Sequence, residues 1–146
     1  MKFEGISQPL TTKKTIFINH LLEIADEAGI NLNETTNHGC TPFNIACEYG
    51  HVEIVDLLLH AKTKQTINFN GVDRDGDTCF TCACIGGSEK VVELLLENMH
   101  ILGVNVNARN NDGHTGFMVA QQKGYEDVVN LLLERQAEIG LELEFS

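Results

Sequence analysis

The sequence predicts an all-α solenoid, a row of stacked helix-turn-helix units joined by β-hairpin-like loops, within 146 residues. Three observations predict it. One set of residues returns at a fixed step, helix-capping residues open and close the same segments in each copy, and tight-turn dipeptides separate the copies.

The step is 37 residues. Glycine recurs at Gly39, Gly76 and Gly113, threonine at Thr41, Thr78 and Thr115, and phenylalanine at Phe43, Phe80 and Phe117. In the same frame follow Ala46, Ala83 and Ala120, then Gly50, Gly87 and Gly124, then Val55, Val92 and Val129. The triplet Leu57 to Leu59 returns as Leu94 to Leu96 and Leu131 to Leu133. Backward, Leu21 and Leu22 stand in the places of Leu58 and Leu59, so a partial unit precedes three full ones. The frame divides one domain, 1–146, into a cap and partial unit at 1–33 and units at 34–70, 71–107 and 108–146.

Within a unit, Thr41 before Pro42 places a capping hydroxyl ahead of a proline at the first helical position, where a missing N–H is harmless. A short helix of apolar and small residues follows until Gly50 ends it. The next helix starts near Val52, and Ile54, Val55 and the leucine triplet give it an apolar face that needs burial. Ser88 and Glu89 open the equivalent helix one unit later, with an acid at the positive end of the helix dipole. Gly29, Gly103 and Gly140 stand where these helices should stop in a left-handed residue, a place that Thr66 takes in the first full unit. Pairs such as Ile67-Asn68-Phe69-Asn70 and Val104-Asn105-Val106-Asn107 alternate with period two, the pattern of a short extended arm. Asp75-Gly76 and Asp112-Gly113 then mark tight turns at the loop tips, and His38-Gly39 a weaker one. A two-helix unit of this size cannot bury its own apolar face, so it must stack on its neighbours.

Composition limits the partners. With 21 acidic against 10 basic residues the net charge is -11, which repels phosphate backbones and anionic lipid, so neither nucleic acid nor membrane is expected. A basic surface or peptide would be steered toward such a chain, although this much charge also serves solubility alone. No apolar run has the length of a signal peptide or of a membrane span, and a cytoplasmic protein is expected. Five cysteines, an odd number with Cys79, Cys82 and Cys84 in one short segment, fit a reducing compartment rather than a disulfide scaffold.

The segment Gly39-Cys40-Thr41-Pro42-Phe43-Asn44-Ile45-Ala46-Cys47, with Gly50-His51 and the leucine triplet, resembles the ankyrin repeat. The resemblance covers residues 30 to 146 and recurs three times in register. It departs from the family where Cys79 and Thr81, and then Gly116 and Met118, replace the Pro and His that usually follow the threonine, so those two helix starts are expected to be weaker. The family's unit has about 33 residues. The surplus here falls between the leucine triplet and the terminal glycine and amounts to about one helical turn. Each outer helix is therefore expected to be a turn longer than usual. Residues 1 to 16 leave the frame, with Pro9 where a helix alanine is expected, and are read as a divergent cap or arm. Gln121, Gln122, Lys123 and Asn130 suit the outer face of a terminal unit. Phe145, close after the last arm, leaves room for the chain to be a segment of a longer array.

The resemblance implies binding of a protein or peptide on the concave side, through loop tips and exposed inner-helix positions. In the first full unit these are Thr35, Asn37, His38, Cys40, Glu48 and Tyr49. In the second they are Val72, Arg74, Asp75, Asp77, Ile85 and Gly86. In the third they are Arg109, Asn111, Asp112, His114, Gln122 and Lys123. Tyrosine and arginine are enriched at binding hot spots, which singles out Tyr49, Arg74 and Arg109.

Other chemistries are weaker. Cys79 and Cys82 share a helix face, but Cys84 points away from Cys82 and no second close Cys or His pair completes a zinc site, so the cysteines are read as small buried hydrophobes. Nothing in the frame singles out the orienting group that a Cys/His nucleophile needs, and the glycines fall at turns and caps rather than in a phosphate loop. The sequence is thus read as a non-enzymatic interaction module without cofactor or metal, monomeric rather than homo-oligomeric. The alternative is a self-associating structural unit or a piece of a longer array.

Overall fold

The computed structural model describes residues 9–61 and 63–143. Its helices run in the order α1 (Pro9–Ala28), α2 (Pro42–Glu48), α3 (Val52–Leu59), α4 (Cys79–Gly86), α5 (Glu89–Glu97), α6 (Met99–Leu102), α7 (Gly116–Lys123), α8 (Glu126–Glu134) and α9 (Gln136–Ile139). Among the described residues there is no strand. Residues 1 to 8 of the expected cap or arm and the position of Phe145 lie outside them.

Three inner helices start in the same way. Thr41 accepts the Asn44 N–H at 3.1 Å, and Thr78 and Thr115 accept those of Thr81 and Met118 at 3.2 Å each. A hydroxyl thus satisfies one of the orphan donors of each first turn, with or without the proline. Inner helix packs on inner helix, α2 on α4 and α4 on α7, while α3, α5 and α8 form the outer row. Phe43, Phe80 and Phe117 occupy equivalent places along the inner row, each 1% exposed. Each ring leaves water almost completely, which stabilises the stack by roughly 2–3 kcal/mol. The row is tight because Gly86 lies against the preceding inner helix, where a Cβ would run into the Glu48 carbonyl.

The N-terminal unit differs from its expected form. Its described residues include one helix of 20 residues, α1, with Leu22 and Ala25 buried. Pro9 breaks nothing because it stands at the first helical position, where no N–H is required.

The surplus residues also behave differently from a plain lengthening. After α5 the chain turns at Asn98, whose Nδ2 donates to the Leu94 carbonyl at 2.8 Å, and then makes the separate turn α6, closed by Gly103 at φ 63°. Arg135, α9 and Gly140 repeat this in the last unit. In the first full unit no helix forms there among the described residues. Asp26 of α1 holds the segment instead, accepting from Thr63 Oγ1 at 2.6 Å, the Lys64 N–H at 3.0 Å and Gln65 Nε2 at 3.1 Å.

The alternating segments at 67–70 and 104–107 keep their alternation in burial, with Val104 and Val106 inside and Asn105 outside, whereas at 30–33 Ile30 is exposed. They are turns rather than extended arms, because Asn31, Asn68 and Asn105 each accept the N–H two residues on. Asn33 and Asn107 then bridge to the next unit, Asn33 through the Thr66 carbonyl and Asn68 N–H, Asn107 through the Gly140 carbonyl and Glu142 N–H.

Candidate functional site

The loops between units are built around one position in the frame, Thr36, Asp73 and Asn110. Asp73 Oδ1 accepts the N–H groups of Asp75 and Asp77 at 3.0 and 2.9 Å, and Asn110 Oδ1 accepts those of Asp112 and His114 at the same two distances. The Thr36 hydroxyl serves His38 and Cys40 less tightly, at 3.3 and 3.2 Å. Each loop closes as a hairpin, with Thr36, Asp73 and Asn110 donating to the carbonyls of Cys40, Asp77 and His114. Neighbouring loops are joined in turn. The Arg74 N–H donates to the His38 carbonyl at 2.9 Å and the Asn111 N–H to the Asp75 carbonyl at 2.8 Å. Side-chain oxygens at a single recurring position therefore shape each loop, and backbone hydrogen bonds tie one loop to the next.

Between the first and second of these loops and the ends of α2 and α4 runs an open groove of about 520 Å3. It brings together seven of the residues expected at the site, His38, Cys40, Glu48, Tyr49, Asp75, Asp77 and Ile85. Three that the sequence did not point to, Thr36, Ile45 and Asp73, complete it. Ile45 and Ile85 supply apolar surface and Tyr49, 69% exposed, a large ring free of the core. Glu48, Asp73, Asp75 and Asp77 make the lining acidic.

The acidity is concentrated by the hairpin. Carboxylate oxygens of Asp73, Asp75 and Asp77 all lie within 4.8 Å of one another. Asp77 is 5% exposed, and burial pushes its carboxyl above the usual range, with Asp73, Asp75 and Glu48 adding to the effect. One strong partner works in the opposite direction, Asn110 Nδ2 at 2.9 Å. Cys40 Sγ stands 3.9 Å from Asp73 Oδ2, and its thiol is raised by burial and by the charges of Asp73 and Glu48.

The other expected residues sit elsewhere. Thr35 lines a separate groove toward the N-terminal end, while Asn37, Val72 and Arg74 are exposed beside the acidic groove and do not line it. Gly86 lies at the contact of α4 with Glu48. In the third unit Arg109 folds back, its Nη1 donating to the Gly113 carbonyl at 2.6 Å. Asn111 Nδ2 is held by the Arg74 carbonyl at 2.7 Å, and Gln122 Nε2 lies 3.5 Å from His114 Nε2. Asp112 and Lys123 are exposed. The two arginines therefore do not line the groove, whereas Tyr49 and the carboxylates do.

Cys47, Cys79, Cys82 and Cys84 are at most 1% exposed, in the core. Burial pushes the Cys79 thiol up to about 12 and raises the other three as well. Neutral thiols of this kind are neither nucleophiles nor ready metal ligands. Among the described residues no cysteine belongs to a close group of metal donors.

Stacked helix pairs, hairpin loops aligned along one edge and a groove where loops meet inner helices define a helical-repeat solenoid. Its family is specific. A model described as Ankyrin repeats (3 copies) matches residues 63–142, and one described as Ankyrin repeat matches residues 38–69. The chain belongs to the ankyrin repeat family. Among solved structures it is similar to the crystal structure of the ankyrin repeat domain of Bcl-3, described as a unique member of the IkappaB protein family. The TM-score is 0.68 at 27% identity, over 85% of this chain and 53% of that one. The chain thus spans about half the length of the domain it matches. No curated protein matches it by sequence.

Proposed function

We propose that this chain is a non-catalytic module that binds a partner protein through an extended, basic segment laid in the groove between its first two full units. The observation that carries this reading is the groove itself. Four carboxylates, from Glu48, Asp73, Asp75 and Asp77, surround apolar surface from Ile45, Ile85 and Tyr49. Lysine or arginine side chains on the partner would meet the acids, and an apolar residue between them would lie on the tyrosine ring. The loop tips are already tied to one another by hydrogen bonds, so little ordering entropy opposes association. The remaining expected contacts, Thr35, Asn37, Val72, Arg74, Arg109, Asn111, Asp112, His114, Gln122 and Lys123, would form a longer, weaker margin along the same edge.

Ankyrin repeat proteins in general act as interaction modules, and the buried neutral thiols support a reading without catalysis. The -11 charge supports a partner that is neither nucleic acid nor membrane. Among the described residues no helix is long and apolar enough to cross a membrane. Five free cysteines support a reducing compartment, the cytoplasm, and the module is taken to act as a monomer.

The test is an array of extended peptides that vary in net charge and in one apolar anchor, probed with the purified chain. The reading expects selection of basic peptides, weaker at higher salt, and loss of that selection in a Glu48→Lys, Asp75→Lys double variant. Equal binding to acidic and basic peptides, or selection untouched by the double variant, refutes it.

A further inference from the structure

A second surface lies at the N-terminal end of the stack, where the described residues build a core that they do not close. Positions that recur in the frame show it. Val91 and Val128 are 0% exposed, yet Ile54 and Phe17 in the same place of the preceding units are 41% and 63% exposed. Leu95 and Leu132 are 0% exposed, and their counterpart Leu21 is 46% exposed. On the inner row Cys79 and Cys82 are buried, while Pro42 is exposed and Ile45 half-buried. Residues that are core in the later units are surface here.

In the later units the preceding outer helix packs over the outer positions, α3 on α5 and α5 on α8, and the preceding inner helix over the inner ones, α2 on α4 and α4 on α7. One frame earlier such an inner helix would span residues 5 to 11, of which the described ones, 9 to 11, belong to α1. An open groove of about 410 Å3 remains, lined by Pro42, Ile45, Ala46, His51 and Ile54.

We propose that this face docks a two-turn amphipathic helix of a partner protein, one with a large apolar residue followed three and four positions later by small ones. The chemistry of the occupant is read from what fills the equivalent space twice in this molecule. Helix α2 presents buried Phe43, Ala46 and Cys47, and helix α4 buried Phe80, Ala83 and Cys84. The groove continues that inter-unit interface, so it selects a helix of the same shape. A second copy of the chain fits less well. Its own Phe43 and Cys47 are already buried at 1% and 0%, and its C-terminal end offers Gln121, Glu126 and Asn130, which would be desolvated. The proposal does not depend on the carboxylates of the acidic groove, which adjoins this one and shares Thr36, Cys40 and Ile45 with it.

The probe is a peptide with the sequence of Thr41 to Gly50, carrying Cys47→Ser and locked helical by a side-chain crosslink, since so short a helix does not hold alone in water. Fluorescence anisotropy with the full chain should show saturable binding. Leu21→Asp or Ile54→Asp in the chain, or Phe43→Asp in the peptide, should weaken it roughly ten- to hundred-fold. Asp75→Lys, in the acidic groove, should leave it unchanged. Both chain variants alter exposed positions, and an unshifted thermal melt confirms that they fold. Absence of saturable binding, binding that survives Leu21→Asp and Ile54→Asp, or a concentration-dependent doubling of mass abolished by Leu21→Asp overturns the proposal, the last by making a second copy the occupant.

Discussion

Asn110 Nδ2 donates to Asp77 Oδ1 at 2.9 Å, so a side chain of the third unit holds the nearly buried carboxylate of the second. The same Asn110, through Oδ1, folds its own loop around Asp112 and His114. One residue thus shapes a hairpin and fastens it to its neighbour. Asn110→Ala should destabilise the chain by about 1–3 kcal/mol, because Asp77 is left without its donor and two N–H groups lose their acceptor. Urea denaturation followed by circular dichroism measures it, and a change within about 0.5 kcal/mol, the size of an ordinary surface substitution, would contradict the assignment.

Close approach of inner helices makes a second prediction. Since a Cβ at Gly86 meets the Glu48 carbonyl, Gly86→Ala must push α4 away from α2 despite the better helix propensity of alanine. A loss of about 1–3 kcal/mol is expected, as for other overpacked contacts. A melting temperature equal to or above that of the parent chain would show that the two helices are not so close.

Acid should loosen the N-terminal helix from the first full unit. Hydrogen bonds from Thr63 and the Lys64 N–H hold the Asp26 carboxyl below its usual value of 3.8. A group with a lowered folded pKa adds stability that is complete above the unfolded value and disappears as pH falls through the folded one. Attachment of α1 should therefore be constant above about pH 5 and weaken below about pH 4. Amide exchange over residues 16 to 28, followed by mass spectrometry in that window, reads it. In Asp26→Asn this contribution to the pH dependence should vanish.

Thiol chemistry gives a fourth. Cys40 is partly exposed, whereas Cys47, Cys79, Cys82 and Cys84 are buried with their thiols held neutral. A maleimide at neutral pH should label Cys40 alone in the native chain and all five cysteines in denaturant. Rapid native labelling of Cys82 would place the inner row in a looser packing than described.

Much of the fold was legible because its signals are local. Thr41, Thr78 and Thr115 announce their helices through hydrogen bonds three residues long, and the glycines stop them by backbone conformation alone. The extra turns were harder. A surplus of one turn was readable from spacing, but its break at Asn98 depends on a side chain returning to the Leu94 carbonyl. Pro9 misled because proline is neutral at the first helical position and disruptive further in, and the sequence around it does not say which applies. At the groove, Tyr49, Glu48 and Asp75 were found from their places in the frame. Thr36 and Asp73 were missed, although their position recurs at Asn110, because different residue types do the same job there. The fold-back of Arg109 was not legible for a related reason, since its Gly113 acceptor becomes visible only once the loop is folded.

The account stands or falls on where a partner lies. The direct measurement is a titration of the isotope-labelled chain with a basic peptide selected from the array, followed by backbone amide chemical shifts. Shifts concentrated at His38, Tyr49, Asp75 and Ile85 are the expected result. Shifts confined to the outer helices α3, α5 and α8, with those four residues unmoved, would contradict it.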